Sequence, residues 1–123
     1  MNINLLADAV KTYLDTKHTR VYRNRAPLSP VMPYVVYHVE SVTDTYPSDD
    51  LYVNVDVFDK PLVSVRAMET LADSIDNGLN HTVISTVGLN AHFEREQRQY
   101  VPVQDLVEAQ MINLRYVVRT YFK

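Results

Sequence analysis

Four histidines, His18, His38, His81 and His92, are the side chains of this 123-residue chain that titrate near neutral pH unaided, so general-base or metal chemistry has to begin with them. None stands four positions from another histidine or inside an H-E-x-x-H pattern, so a helical metal pair is not encoded. His38 is the best placed of the four, because it lies between Tyr37 and Val39 in a strand-like run and Asp56 occupies the neighbouring run. A register that set the two side by side would let the carboxylate orient the imidazole, as a small hydrolase or isomerase would require. A cross-strand polar pair on a half-exposed face is the simpler account of the same residues. Carboxylates also pair at Asp49-Asp50 and at Glu94 with Glu96, but in a polar turn and on an edge strand such pairs keep a surface soluble. Gly78 and Gly88 are the only glycines and cysteine is absent. A phosphate-cradling loop, a nucleophile elbow, a thiolate nucleophile and a sulfur-ligated metal therefore lack their raw material. No catalytic, metal or cofactor site is expected.

The elements that would position these residues follow from periodicity. Ile3, Leu6, Ala7, Val10 and Leu14 recur at helical spacing, with Asn2 or Asn4 available as a cap. Thr19 to Arg23 reads as a short strand, and Asn24 to Pro33 as a loop because it holds Pro27, Pro30 and Pro33. Tyr34 to Val42 and Leu51 to Phe58 are rich in β-branched and aromatic residues and should pair as an antiparallel hairpin with a long polar tip. In the second run Leu51, Val53, Val55 and Val57 alternate with Tyr52, Asn54, Asp56 and Phe58, which predicts one buried and one mostly wet face.

After Asp59-Lys60-Pro61, Val65, Met68, Leu71, Ala72, Ile75 and Leu79 mark a second helix that ends near Asn77-Gly78 and Asn80. Val83 to Val87 reads as either a short strand or an extended linker. The charged, weakly alternating stretch from Leu89 to Val103 has the look of an outer strand, and Ile112 to Phe122 closes the chain as another after a turn at Pro102 and Asp105. The order α-β-β-β-α-β-β gives an α+β fold, an antiparallel sheet with both helices on one face.

Composition bounds the function classes. A chain of this length, 46% hydrophobic and 22% charged, has the make-up of one globular domain spanning residues 1–123. Its net charge of −3 does not supply the basic field that backbone-driven nucleic-acid binding needs, so no direct contact with DNA or RNA is expected. No apolar run reaches the roughly 20 residues of a membrane span, and Asp8 interrupts the N-terminus too early for a secretory signal. Nine tyrosines and no tryptophan suit either a β-rich chain or one that uses amphipathic rings at interfaces. Arg95, Arg98, Arg115 and Arg119 fit equally an interface and a solvated sheet face.

Val21-Tyr22 followed by Ala26-Pro27, then Pro33-Tyr34-Val35-Val36-Tyr37, resembles the tail-completion family of long-tailed phages and prophages, also described as head-tail joining or tail-terminator proteins. Val53 to Asp59 looks like that family's central strand, Ala67 to Leu79 like its second helix, and Leu114 to Tyr121 like its closing strand. The match runs over about residues 3 to 122 and rests on order and spacing, since the family has no catalytic motif. Lys17-His18-Thr19 stands where the family commonly carries a glycine before the first strand.

The resemblance implies a non-enzymatic virion protein, made in the bacterial host cytoplasm. It would cap the head-proximal end of the tail tube as a ring of about six copies and join it to the head connector. Its partners would be itself, the tail-tube protein and the connector protein. Closing a ring takes two different complementary patches per subunit. The loops and the sheet edge offer Arg25, Leu28, Val31, Met32, Tyr46, Asp49, Asp50, Arg95, Arg98 and Tyr100 as interface candidates. A head-closure or connector-adaptor protein, a tail-tube subunit and a small non-viral binding module are the competing non-enzymatic readings.

Overall fold

The structure, a computed structural model, describes residues 3–28, 31–44, 49–60, 66–102 and 110–122. Within them lie α1 (Ile3–Asp15), β1 (Val21–Arg23), β2 (Tyr34–Asp44), β3 (Asp49–Asp59), α2 (Arg66–Leu79), β4 (Thr82–Thr86), β5 (Leu89–Pro102) and β6 (Gln110–Phe122). Tyr46, Val65 and Asp105, together with Ser29 and Pro30 of the proline-rich loop, lie outside the described residues.

The strands form one six-stranded sheet in the order β1-β2-β3-β6-β5-β4. The α+β class holds, with two corrections. The sheet is mixed, because β1 pairs parallel with β2, Val21 opposite Val35 and Arg23 opposite Tyr37. There are also six strands rather than five, since residues 82–86 form β4, antiparallel to β5. The expected hairpin of β2 and β3 is antiparallel throughout, from Tyr34 opposite Phe58 to Asp44 opposite Asp49.

One face of the sheet carries Val35, Tyr37, Leu51, Val53, Val55, Val57, Leu89, Ala91, Phe93, Ile112, Leu114, Tyr116 and Val118. Both helices bury their stripes in the same cluster, Leu6, Ala7, Val10 and Leu14 from α1 and Met68, Ala72, Ile75 and Leu79 from α2. This is the alternation of β3 and the helical spacing of the two stripes turned into one core.

Local chemistry departs from the simplest reading in three places. Asn4 lies inside α1, where its Oδ1 accepts a hydrogen bond from Arg23 Nη1 at 3.0 Å and so ties the helix to β1. The turn into β1 is made by the last carbonyls of α1, Leu14 O accepting from both Lys17 N and His18 N. Gly78 sits within α2 rather than after it, and the left-handed residue that follows the helix is His81, with φ 60°. What Gly78 provides is room: a Cβ there would lie 2.5 Å from the Tyr13 hydroxyl, which donates to Ile75 O at 2.6 Å and joins the two helices.

β5 is likewise not simply an outer strand. Its first part, Leu89 to Phe93, lies between β4 and β6, while the charged part from Glu94 onward outruns β4 and, among the described residues, pairs with β6 alone. Charge on that open half is what keeps a free edge from pairing with other chains.

Candidate assembly surface

The irregularity in β5 decides where its arginines point. Arg95 faces Tyr116 and Gln97 faces Arg115, so Glu96 is the extra residue of a β-bulge. The bulge shifts the phase of the strand, and Arg95, Arg98 and Tyr100 all fall on the helix side. There they meet one stripe of α2: Arg95 Nη1 donates to Asp76 Oδ2 at 2.7 Å, Arg98 Nη1 to Asp73 Oδ1 at 2.6 Å, and the Tyr100 hydroxyl to Glu69 Oε1 at 3.1 Å. Three of the interface candidates thus have partners within the chain. The exposed Arg98 pair is worth about 0–1 kcal/mol, whereas Asp76 is buried and also accepts from the Tyr116 hydroxyl at 2.8 Å. Burial, with the Asp76 carboxylate adding to it, pushes the Tyr116 phenol far above its ordinary pKa.

The opposite face of the sheet is polar at its centre. The Arg115 guanidinium lies 3.8 Å over the Tyr52 ring, with Glu40 at 3.9 Å and Glu96 at 3.8 Å. The register separates the two residues that could have formed a catalytic pair, setting His38 opposite Asn54 and Val36 opposite Asp56. His38 Nε2 instead pairs with Glu40 Oε1 at 2.9 Å, and Asp56 Oδ1 accepts from Asn113 Nδ2 at 2.6 Å. Asp50 faces Arg119 across to β6, their closest atoms 3.6 Å apart, beside an open depression of about 490 Å³ that His92 and Tyr121 also line. Asp49 takes part through its backbone, its carbonyl accepting from Thr120 Oγ1 at 2.7 Å.

Burial raises the Asp56 carboxyl pKa above its ordinary value, against smaller lowering contributions from the Asn113 amide and His38. A raised native pKa means that the folded chain holds this proton more tightly than the unfolded one, so stability falls as pH rises through that pKa. Asp56→Asn keeps an acceptor for Asn113 and removes the charge. It is expected to raise the melting temperature at about pH 7 and to change it little at about pH 3, where the native carboxyl is already protonated. Thermal melts at the two pH values check this, and equal shifts at both would contradict it.

The remaining candidates cluster on the loop after β1. Arg25 is exposed, Leu28 is 99% exposed and Val31 is 64% exposed, with Met32 half-buried next to Pro33. The loop is anchored where it returns, since Pro33 O pairs with His18 Nε2 at 2.9 Å and accepts from Arg20 Nε at 3.0 Å. Two exposed apolar residues were not singled out from the sequence, Val83 on β4 and Val87 in the β4–β5 turn, the latter 96% exposed. The signal was present in Val83-Ile84 and in Val87 directly before Gly88, whose φ of 90° makes the tight turn. β1 and β4 are the two ends of the strand order, so the exposed apolar residues fall at both sheet edges.

Neither a family model nor a curated protein matches the sequence. Solved structures do match the fold. A chain from the virion of a native gene transfer agent particle superposes with a TM-score of 0.63 at 14% identity, covering 91% of this chain and 84% of that one. A second solved chain superposes with a TM-score of 0.73 at 14% identity, over 100% of this chain and 98% of its own. At such identities the likeness is one of fold, and it extends over nearly the whole chain.

Proposed function

We propose that this protein is a non-enzymatic structural component of a phage-like particle, one that caps the head-proximal end of the tail tube as a ring and joins the tail to the head connector. The observation that carries the virion reading is the fold shared with the gene transfer agent virion chain over 91% of this one. The finer reading, a ring on the tail end, draws on the sequence resemblance to tail-completion proteins. It is supported by exposed apolar residues at both ends of the strand order, as a contact between two different patches requires. A structural role also accords with His38 and Asp56 having separate hydrogen-bond partners.

Cosedimentation tests the reading. Mixed with purified tail tubes that lack a cap, the protein is expected to pellet with them at a few copies per tube, independent of tube length. Binding in proportion to tube length would indicate a tube subunit, and binding to filled heads but not tubes would indicate a connector-adaptor protein.

A further inference from the structure

α1 carries two adjacent apolar stripes, and the second packs against the core while leaving part of its surface open. Leu6, Val10 and Leu14 face the core, while Leu5, Ala9 and Tyr13, spaced four apart on the neighbouring side, form one wall of a groove of about 460 Å³ whose other wall is Ile84 and Val87. The groove is almost wholly apolar, and Asp8 stands on its rim, exposed and without an ion pair among the described residues. Val87, at the mouth of the groove, is left to solvent by its own chain. An apolar concavity with one charged group at its edge is suited to an apolar anchor accompanied by the opposite charge.

The same chain carries such an anchor at the other end of its strand order. Leu28 and Val31 project from the loop after β1, and Arg25 lies three residues before Leu28, exposed and with no side-chain partner among the described residues. Leu28 touches almost nothing in its own chain, so it does not fill its own groove. We propose that Leu28 and Val31 of one copy dock in the α1–β4 groove of the next, with Arg25 of the first against Asp8 of the second. Both the shape and the charge are complementary, and the two surfaces differ. The contact is therefore heterologous, the type that builds a ring when its rotation closes and an open filament when it does not. This inference rests on the ring reading above and names the surfaces that make the ring.

The absence of cysteine permits a direct trap. In a Leu28→Cys/Val87→Cys double variant, mild oxidation of concentrated protein is expected to give a ladder of disulfide-linked oligomers ending at the closed ring. Adding Thr12→Arg, at an exposed position on the α1 wall, should weaken the contact by at least about tenfold and remove the ladder, with circular dichroism and the melting temperature unchanged. Asp8→Arg should do the same, and combining it with Arg25→Asp should bring the ladder back. A ladder indifferent to Thr12→Arg and Asp8→Arg would overturn the docking while leaving the ring reading standing. Wild-type protein that forms no ring even on tail tubes would overturn both. A Thr12→Arg protein that still forms rings but no longer binds tubes would assign the groove to the tube protein and overturn the second-copy occupant.

Discussion

Asp76→Ala is expected to lower the stability of the fold by about 3 kcal/mol, read from chemical denaturation. Asp76 is 8% exposed and is the shared acceptor for the Tyr116 hydroxyl and the Arg95 guanidinium. Tyr116 is fully buried at the centre of β6, so removing the acceptor strands a hydroxyl donor that water cannot reach, at a cost of about 1–3 kcal/mol. The guanidinium loses its partner as well, but the Arg95 side chain is 36% exposed and rehydrates, which keeps the total at the lower end of what a broken buried pair costs. Two companions separate these contributions. Asp76→Asn, which retains an acceptor for Tyr116, should cost about half as much, and Arg95→Ala about 1–2 kcal/mol, because it leaves the buried Asp76 carboxylate without its ion-pair partner. A loss below about 1 kcal/mol for Asp76→Ala would mean that the network contributes nothing beyond a surface ion pair.

Tyr34→Ala should cost a comparable amount, about 3 kcal/mol, although Tyr34 stands on the face of the sheet that neither helix covers. Its ring stacks on Phe58 with centroids 4.8 Å apart and planes within 10°, and Tyr22 meets it edge-on at 6.2 Å. With Tyr34 5% exposed and Val36 beside it 6% exposed, this end of the outer face is a small second core. A residue on a wet sheet face would lose no more than about 0.5 kcal/mol, so denaturation of the variant distinguishes the two descriptions directly.

That aromatic end shows where a sequence stops being legible. The alternation of Leu51, Val53, Val55 and Val57 identifies the core face of β3, because period two leaves no other way to bury four apolar residues together. The same alternation makes the other face look mostly wet, since it cannot show that Tyr34 and Phe58 will be set opposite each other by the register. β1 is three residues long, too short for pattern to fix its direction, and its parallel pairing is a property of the sheet rather than of Val21-Tyr22-Arg23.

The candidate site divides in the same way. Leu28 and Val31 were legible because an apolar residue in a proline-rich loop has little local structure to bury it. Arg95 and Arg98 were found as residues but not as partners of Asp76 and Asp73. Those contacts join elements 19 and 25 positions apart and depend on the Glu96 bulge, which a weakly alternating charged stretch conceals. The groove was not legible at all. It exists because the fold sets Ile84 and Val87 beside Leu5, Ala9 and Tyr13, and that juxtaposition belongs to the assembled chain.

Negative-stain electron microscopy of the protein mixed with purified, uncapped tail tubes decides whether it is a tail cap. A ring is expected on one end of each tube and none along its length. Tubes with two bare ends beside a protein that stays monomeric would contradict that role.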